Sequence, residues 1–210
     1  MAKKLYEESS IQAIATAIRG KNGSSDTYTV AEMSAAIADI PTGGSVDSVL
    51  DGSVVELSTN ATSLRDYAFR DCTSLRAIDA PNVATIGQYC FSGCSALEDI
   101  EFPSLTSNVG YGAFQNCSNL KTAIFEKYVA FGASCFSNCS KLNLVVLKAN
   151  TLCNISNTTF SGTAFSSSGA GGTVYVPNAL ISQYQSASNW STILGYANNQ
   201  ILPIEGSIYE

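Results

Sequence analysis

Apolar and polar positions along this chain repeat with a period of about 22 residues, and several columns keep step with one another. Phe69, Phe91, Phe114, Phe136 and Phe160 follow at intervals of 22, 23, 22 and 24. Five residues before each stands another apolar side chain: Leu64, Ile86, Val109, Phe131 and Ile155. Three residues after the first four phenylalanines come Cys72, Cys94, Cys117 and Cys139, then Leu75, Leu97, Leu120 and Leu142, then Ile78, Ile100, Ala123 and Val145. A coil of this length cannot bury an apolar face alone, so successive coils stack and equivalent side chains pile up along one axis. The phenylalanines are therefore expected to form a buried stack.

The same phase predicts local structure. The stretch from Leu75 to Ala80, and its counterparts ending at Phe102, Phe125 and Leu147, alternates as a short strand with one face inward. Stacked at about 4.8 Å, such strands make a narrow parallel sheet. Asp71, Gly93, Asn116, Asn138 and Gly162 share the column just before the cysteines or its equivalent. These residue types tolerate positive φ, which predicts a tight turn there. The fold class expected is an α+β solenoid, a right-handed coil of stacked short parallel strands preceded by a small N-terminal helical module.

Both ends depart from the repeat. Ile11, Ile14 and Ile18 lie at helical spacing, Gly20 to Ser25 break the pattern, and Thr29 to Glu32 has the spacing of a capping box ahead of Met33, Ala36, Ile37 and Ile40. Residues 1–44 are thus expected to form a helical docking module and linker, and the alternative of a hairpin that only covers the solenoid's end stays open. Residues 45–210 are expected to form the solenoid. Asp51-Gly52 marks a capping hairpin at its start. At its end come a flexible loop from Ser166 to Gly172, a strand at Val174–Val176, a helix capped by Asn178 that carries Leu180, Ile181, Tyr184, Ala187 and Trp190, and a last strand near Ile201–Ile204.

Composition narrows the chemistry. A hydrophobic fraction of 45% suffices for a continuous core, and a net charge of −6 argues against a nucleic-acid backbone or an anionic membrane as partner. No apolar run is long enough to insert in a membrane, and residues 1–40 lack the pattern of a secretory signal, so a soluble protein is expected. Of the seven cysteines, Cys90, Cys94, Cys135 and Cys139 invite a zinc reading. Four-thiolate sites usually have two-residue spacers, and the chain has no histidine to complete a mixed site. Ala68 and Ala113 share a column with Cys90 and Cys135, which favours cysteine as a small buried hydrophobe. The absence of histidine also removes the commonest general base. The acids Glu98, Asp99 and Glu101 near Asp79 suggest a glycosidase-like pair, but a shallow sheet offers no means of raising one carboxylate's pKa. No catalytic residue, metal site or cofactor is expected, and the chain reads as a non-enzyme.

The outward face of the sheet is the best candidate contact surface. With Ile78 and Ala80 inward, Asp79 points out, and the phase carries this to Glu98 and Glu101, Lys121 and Ile124, Leu144 and Val146, and Tyr175. The face grades from acidic to apolar, and exposed Ile124, Leu144, Val146 and Tyr175 would form an interaction patch. Binding of a foreign partner and coverage by the N-terminal helices, by the loop around Gly169 or by a neighbouring subunit are equally open.

The run Ile-Gly-x-x-Cys-Phe-x-Gly-Cys-Ser-x-Leu-x-x-Ile-x-x-Pro from Ile86 to Pro103 resembles the BspA-type leucine-rich repeat, and the resemblance extends over residues 50–204. It departs at Ala123, Glu126 and Lys148, where isoleucine or proline is usual, so the third and fourth coils are expected to be less regular. Ile11 to Gly23 with Val30 to Met33 is similar to an N-terminal segment of tail and other structural proteins of phages. Together these resemblances imply a virion component assembled in the host cytoplasm, tail-associated or surface-displayed. Its partners would be other virion proteins, further copies of itself in a homo-oligomer, and a host surface protein or glycan. A capsid decoration protein without a host ligand and a bacterial surface adhesive repeat protein are the alternatives.

Overall fold

The computed structural model describes residues 56–59, 61–196 and 198–210. The expected helical module of residues 1–44 and the hairpin around Asp51-Gly52 lie outside these residues.

Among the described residues nine short strands appear in chain order: β1 Glu56–Ser58, β2 Ser63–Leu64, β3 Ala77–Asp79, β4 Thr85–Ile86, β5 Asp99–Phe102, β6 Thr122–Phe125, β7 Leu144–Leu147, β8 Thr173–Val176 and β9 Gln200–Pro203. Every pairing between them is parallel. Strands β5 to β9 form one sheet in sequence order, β1 pairs with β3, and β2 pairs with β4. The sequence predicts one continuous narrow sheet, whereas the pairing is interrupted between β3 and β5 and only Glu98 N–H donating to Arg76 C=O (3.1 Å) spans the junction beside them. The repeat phase sets Asp79 beside Glu101 at this junction. Like charges placed side by side disfavour pairing there.

Each coil contributes a strand to this side and returns along a second line of contacts. Isolated parallel bridges join Ile86 to Val109 and Val109 to Phe131, continuing the β2–β4 pair. A third line of backbone bonds runs through the turns: Phe69, Phe91, Phe114 and Phe136 each donate an N–H to the carbonyl of Cys90, Ala113, Cys135 and Thr159 in the next coil, at 2.7 to 2.9 Å. Backbone polar groups are thereby satisfied between coils.

The phenylalanine column forms as the period requires. Successive rings from Phe69 to Phe160 stack at centroid distances of 5.2, 5.3, 5.4 and 5.6 Å and lie within 11° of parallel. Phe91, Phe114 and Phe136 are fully buried, while Phe69, first in the stack, is half-buried. Phe102 and Phe125 from the sheet and Phe131 from the return side pack against them. The expected turn column is equally clear, with φ of 59° at Asp71, 80° at Gly93, 63° at Asn116, 61° at Asn138 and 69° at Gly162. A second left-handed column, at Tyr67, Tyr89, Gly112 and Ser134, is not one the sequence singles out. Where the return segments meet, Gly110 is required by space, because a Cβ there would lie 2.4 Å from the backbone of Gly87.

The third and fourth coils prove regular. β6 and β7 pair over four residues each, and the positions that depart from the repeat complement one another, with Lys148 Nζ 2.9 Å from Glu126 Oε1 in the adjacent coil.

The end of the stack is closed by a cap. In place of the single expected helix, a 3-10 turn at Asn178–Leu180 leads to α1 (Ile181–Ser186) and α2 (Ser188–Leu194), separated at Ala187 by an extended residue with ψ 132°. The expected Asn178 side-chain cap is absent; its backbone N–H instead donates to the Glu205 carboxylate at 2.9 and 3.1 Å. The break at Ala187 lets two aromatics meet one backbone segment. Tyr184 Oη accepts from Cys153 N–H at 2.9 Å, and Trp190 Nε1 donates to Cys153 C=O at 2.7 Å, with the indole 5.9 Å from Phe160. The Ser166–Gly172 loop is tied down through Gly171 N–H to Ala164 C=O and Gly172 N–H to Asn199 Oδ1. Among the described residues no helix is long and apolar enough to cross a membrane.

Candidate interaction surface

The register of the sheet fixes which side chains share its outward face. One row runs Glu101, Ile124, Val146, Tyr175, Leu202, and beside it lies Asp99, Thr122, Leu144, Thr173, Gln200. Toward the start of the solenoid, Ser58 lies beside Asp79, and Ser58 Oγ donates to Asp79 Oδ2 at 3.2 Å. Alternating burial within β5, exposed-buried-exposed-buried, separates this face from the core side.

The expected gradient from acidic to apolar is present, with a correction at its apolar end. Asp79, Asp99 and Glu101 are exposed, while Ile124, Leu144 and Tyr175 are half-buried. Val146, expected to be exposed, has no accessible surface, although it points away from the core occupied by its neighbours Val145 and Leu147. Period alone cannot show what returns over a face. Here Tyr209, from the segment after β9, packs against Tyr175, ring centroids 5.2 Å apart. Large exposed apolar side chains among the described residues lie elsewhere, at Tyr111, Tyr128 and Ile208.

Glu98 and Lys121 stand just ahead of β5 and β6 and pair across adjacent coils at 2.5 Å. This hydrogen bond and charge hold the Glu98 carboxyl below the usual carboxylate range and push Lys121 up. A general acid needs the opposite shift from the one at Glu98.

The cysteines point inward. All seven are free; Cys72 is half-buried and the other six are buried. Burial pushes the Cys90, Cys94, Cys117, Cys135 and Cys153 thiols up, and burial together with the charge of Asp71 pushes Cys72 up to about 11. A raised thiol pKa disfavours the thiolate that nucleophilic and metal chemistry require. Among the described residues no group of three metal-binding side chains comes together.

On the turn side lies a surface feature the sequence reading passed over. Tyr67 and Tyr89 stack at 5.4 Å, Tyr89 meets Tyr111 edge-on at 5.3 Å, and the Arg70 guanidinium sits 5.6 Å from the Tyr67 ring centre. The signal was the 22-residue spacing of these tyrosines. Tyr67 and Tyr89 spend their faces on one another and on Arg70, while Tyr111 keeps an exposed side. An open cleft of about 490 Å³ beside β9, lined by Gln185, Leu194, Gln200 and Ile201 among others, mixes amides with aliphatic carbons.

Residues 53–176 match the model of the BspA type leucine rich repeat region, in six copies. A crystal structure of a leucine-rich repeat protein from Bacteroides ovatus is similar at 17% identity, with a TM-score of 0.27. That match covers 73% of this chain and 55% of the other, so the chain spans about half the length of that relative. Comparison with curated proteins finds no match.

Proposed function

Because the chain belongs to the BspA-type leucine-rich repeat family, we propose that it is a non-catalytic binding protein whose outward sheet face docks a protein partner. Leucine-rich repeats generally mediate protein binding. The observation that carries the reading is the row from Glu101 through Ile124 to Tyr175, where carboxylates and half-buried aliphatic and aromatic side chains share one rigid parallel register. Such a face offers apolar area for affinity and charge for orientation, and needs no reacting group. The inward, poorly acidic thiols and the lowered Glu98 support the absence of catalysis.

The test is site-selective photo-crosslinking in cells of the source organism. A crosslinking residue at Glu101 or Thr122 is expected to capture a partner, and the same residue at exposed Asn116, on the turn side, is not. Equal capture from both sides, or capture from Asn116 alone, would contradict the reading.

A second, finer reading rests on residues 11–23 and 30–33. Their similarity to an N-terminal segment of phage structural proteins favours a virion, tail-associated or decorating a capsid, as the assembly that displays the face in several copies. Display on a bacterial surface is the competing placement. Mass spectrometry of purified particles from the source culture decides: the virion placement requires the chain in stoichiometric amount, and its absence from particles excludes that placement.

A further inference from the structure

Val146 is the observation that needs an account. It occupies an outward position of β7, between Ile124 and Tyr175 in register, yet none of its surface is accessible. Ile124 and Tyr175 flank it in register, and Tyr175 in turn carries the Tyr209 ring. The segment that reaches this face is residues 205–210, through Tyr209 on Tyr175.

This segment is weakly fixed. Among the described residues two ring or polar contacts tie it to the body: Tyr209 on Tyr175, and the Glu205 carboxylate accepting from Asn178 N–H. Its other hydrogen bonds are internal or to the residue where it begins, Ser207 Oγ to Ile204 C=O and Gly206 N–H to Glu210 Oε2. Ile208 beside Tyr209 is 91% exposed. A segment with so few buried contacts opens at low cost.

We propose that residues 205–210 are a displaceable strap over the apolar half of the outward sheet face, and that the occupant replacing it is an extended protein segment combining an aromatic side chain with lysine or arginine. This rests on the sheet-face reading above and names the chemistry of its partner. The aromatic takes the seat of Tyr209 on Tyr175. From Tyr175 the register steps through Val146 and Ile124 to Glu101, three strand spacings or about 14 Å. An extended segment crossing the strands covers this in about four residues. Its basic residues then reach exposed Glu101 and Asp99, with Asp79 beyond. The corresponding segment of a second copy carries Glu205 and Glu210 with its tyrosine, and like charge disfavours it at that position.

The test uses a fluorescein-labelled peptide with two lysines about four residues from a tyrosine, and a control peptide with glutamates in place of the lysines. Anisotropy titrations compare the full chain, Tyr209→Ala, and a chain ending at Ile204. Loss of the strap is expected to tighten lysine-peptide binding about tenfold, with Tyr209→Ala moving in the same direction. Glu101→Lys on the shortened chain is expected to reverse the preference between the two peptides. Equal affinity for the full chain and Tyr209→Ala, or preference of the unsubstituted face for the glutamate peptide, overturns the proposal. Should the shortened chain lose its circular dichroism signature, Tyr209→Ala alone decides. Crosslinking from Glu101 to a partner whose contacting segment is acidic would uphold the face and overturn this occupant.

Discussion

The Cys117 thiol donates a hydrogen bond across one coil to the carbonyl oxygen of Phe91, at 3.1 Å. The same contact recurs from Cys94 to Phe69 at 3.0 Å and from Cys139 to Phe114 at 2.9 Å. The cysteine column is therefore a line of small buried groups that fill space and also supply weak donors to the carbonyls beside the phenylalanine stack. Phe91 C=O also accepts from Cys94 N–H at 3.1 Å, so loss of the thiol leaves it partnered. Cys117→Ala is expected to cost about 1–2 kcal/mol, from the small cavity and the lost weak bond, as read by urea denaturation. No change in the midpoint would mean that the sulfur contributes nothing to the coil contact.

Stability should fall steeply in alkali. The thiols of Cys72, Cys90, Cys94, Cys117, Cys135 and Cys153 are all pushed up by burial, and Cys72 reaches about 11 from an ordinary value of 9.0. Groups raised in the folded state favour folding fully below their unfolded pKa, and this contribution is lost as the unfolded chain ionises above it. Each thiol contributes a slope of up to about 1.4 kcal/mol per pH unit between its unfolded and folded values. Denaturation midpoints are expected to hold from pH 7 to about 8.5 and drop beyond pH 9. A flat profile to pH 10.5 would show that these thiols titrate normally in the folded chain.

Among the described residues nothing pairs with the second side of β9, and one residue is expected to make that side resist strand addition. Gln200 N–H donates to Gly172 C=O and Ile204 N–H to Val176 C=O, so the alternate position, Pro203, directs its nitrogen to the open edge. Proline offers no donor there. Pro203→Val is expected to increase concentration-dependent association relative to the parent chain in sedimentation velocity. An unchanged sedimentation profile across the same concentrations would show that the edge is protected by something else.

Much of the coil was legible from phase. Phe91, Phe114 and Phe136 announce the stack by recurrence, and Asp71, Asn116 and Asn138 announce a left-handed turn because their side chains tolerate it. Tyr67 and Tyr89 adopt positive φ as well, and tyrosine carries no such preference; stacking between coils holds them where local chemistry would not. The break at Ala187 was hidden because alanine favours helix, and only the joint reach of Tyr184 and Trp190 to Cys153 explains it. At the candidate face, alternation correctly turned Glu101, Ile124 and Tyr175 outward. It failed at Val146 because a two-residue period assigns a side to each residue and says nothing of how the side chains around that position close over it.

The stacking of equivalent side chains in register underlies every statement about the outward face, and Phe114→Ala in the central coil tests it most directly. Phe114 is fully buried between Phe91 and Phe136 at 5.3 and 5.4 Å. Urea denaturation of this variant is expected to show a loss of about 3–5 kcal/mol, as large truncations in a packed core do. A loss below about 1 kcal/mol, within the range of substitutions at solvated sites, would contradict the account.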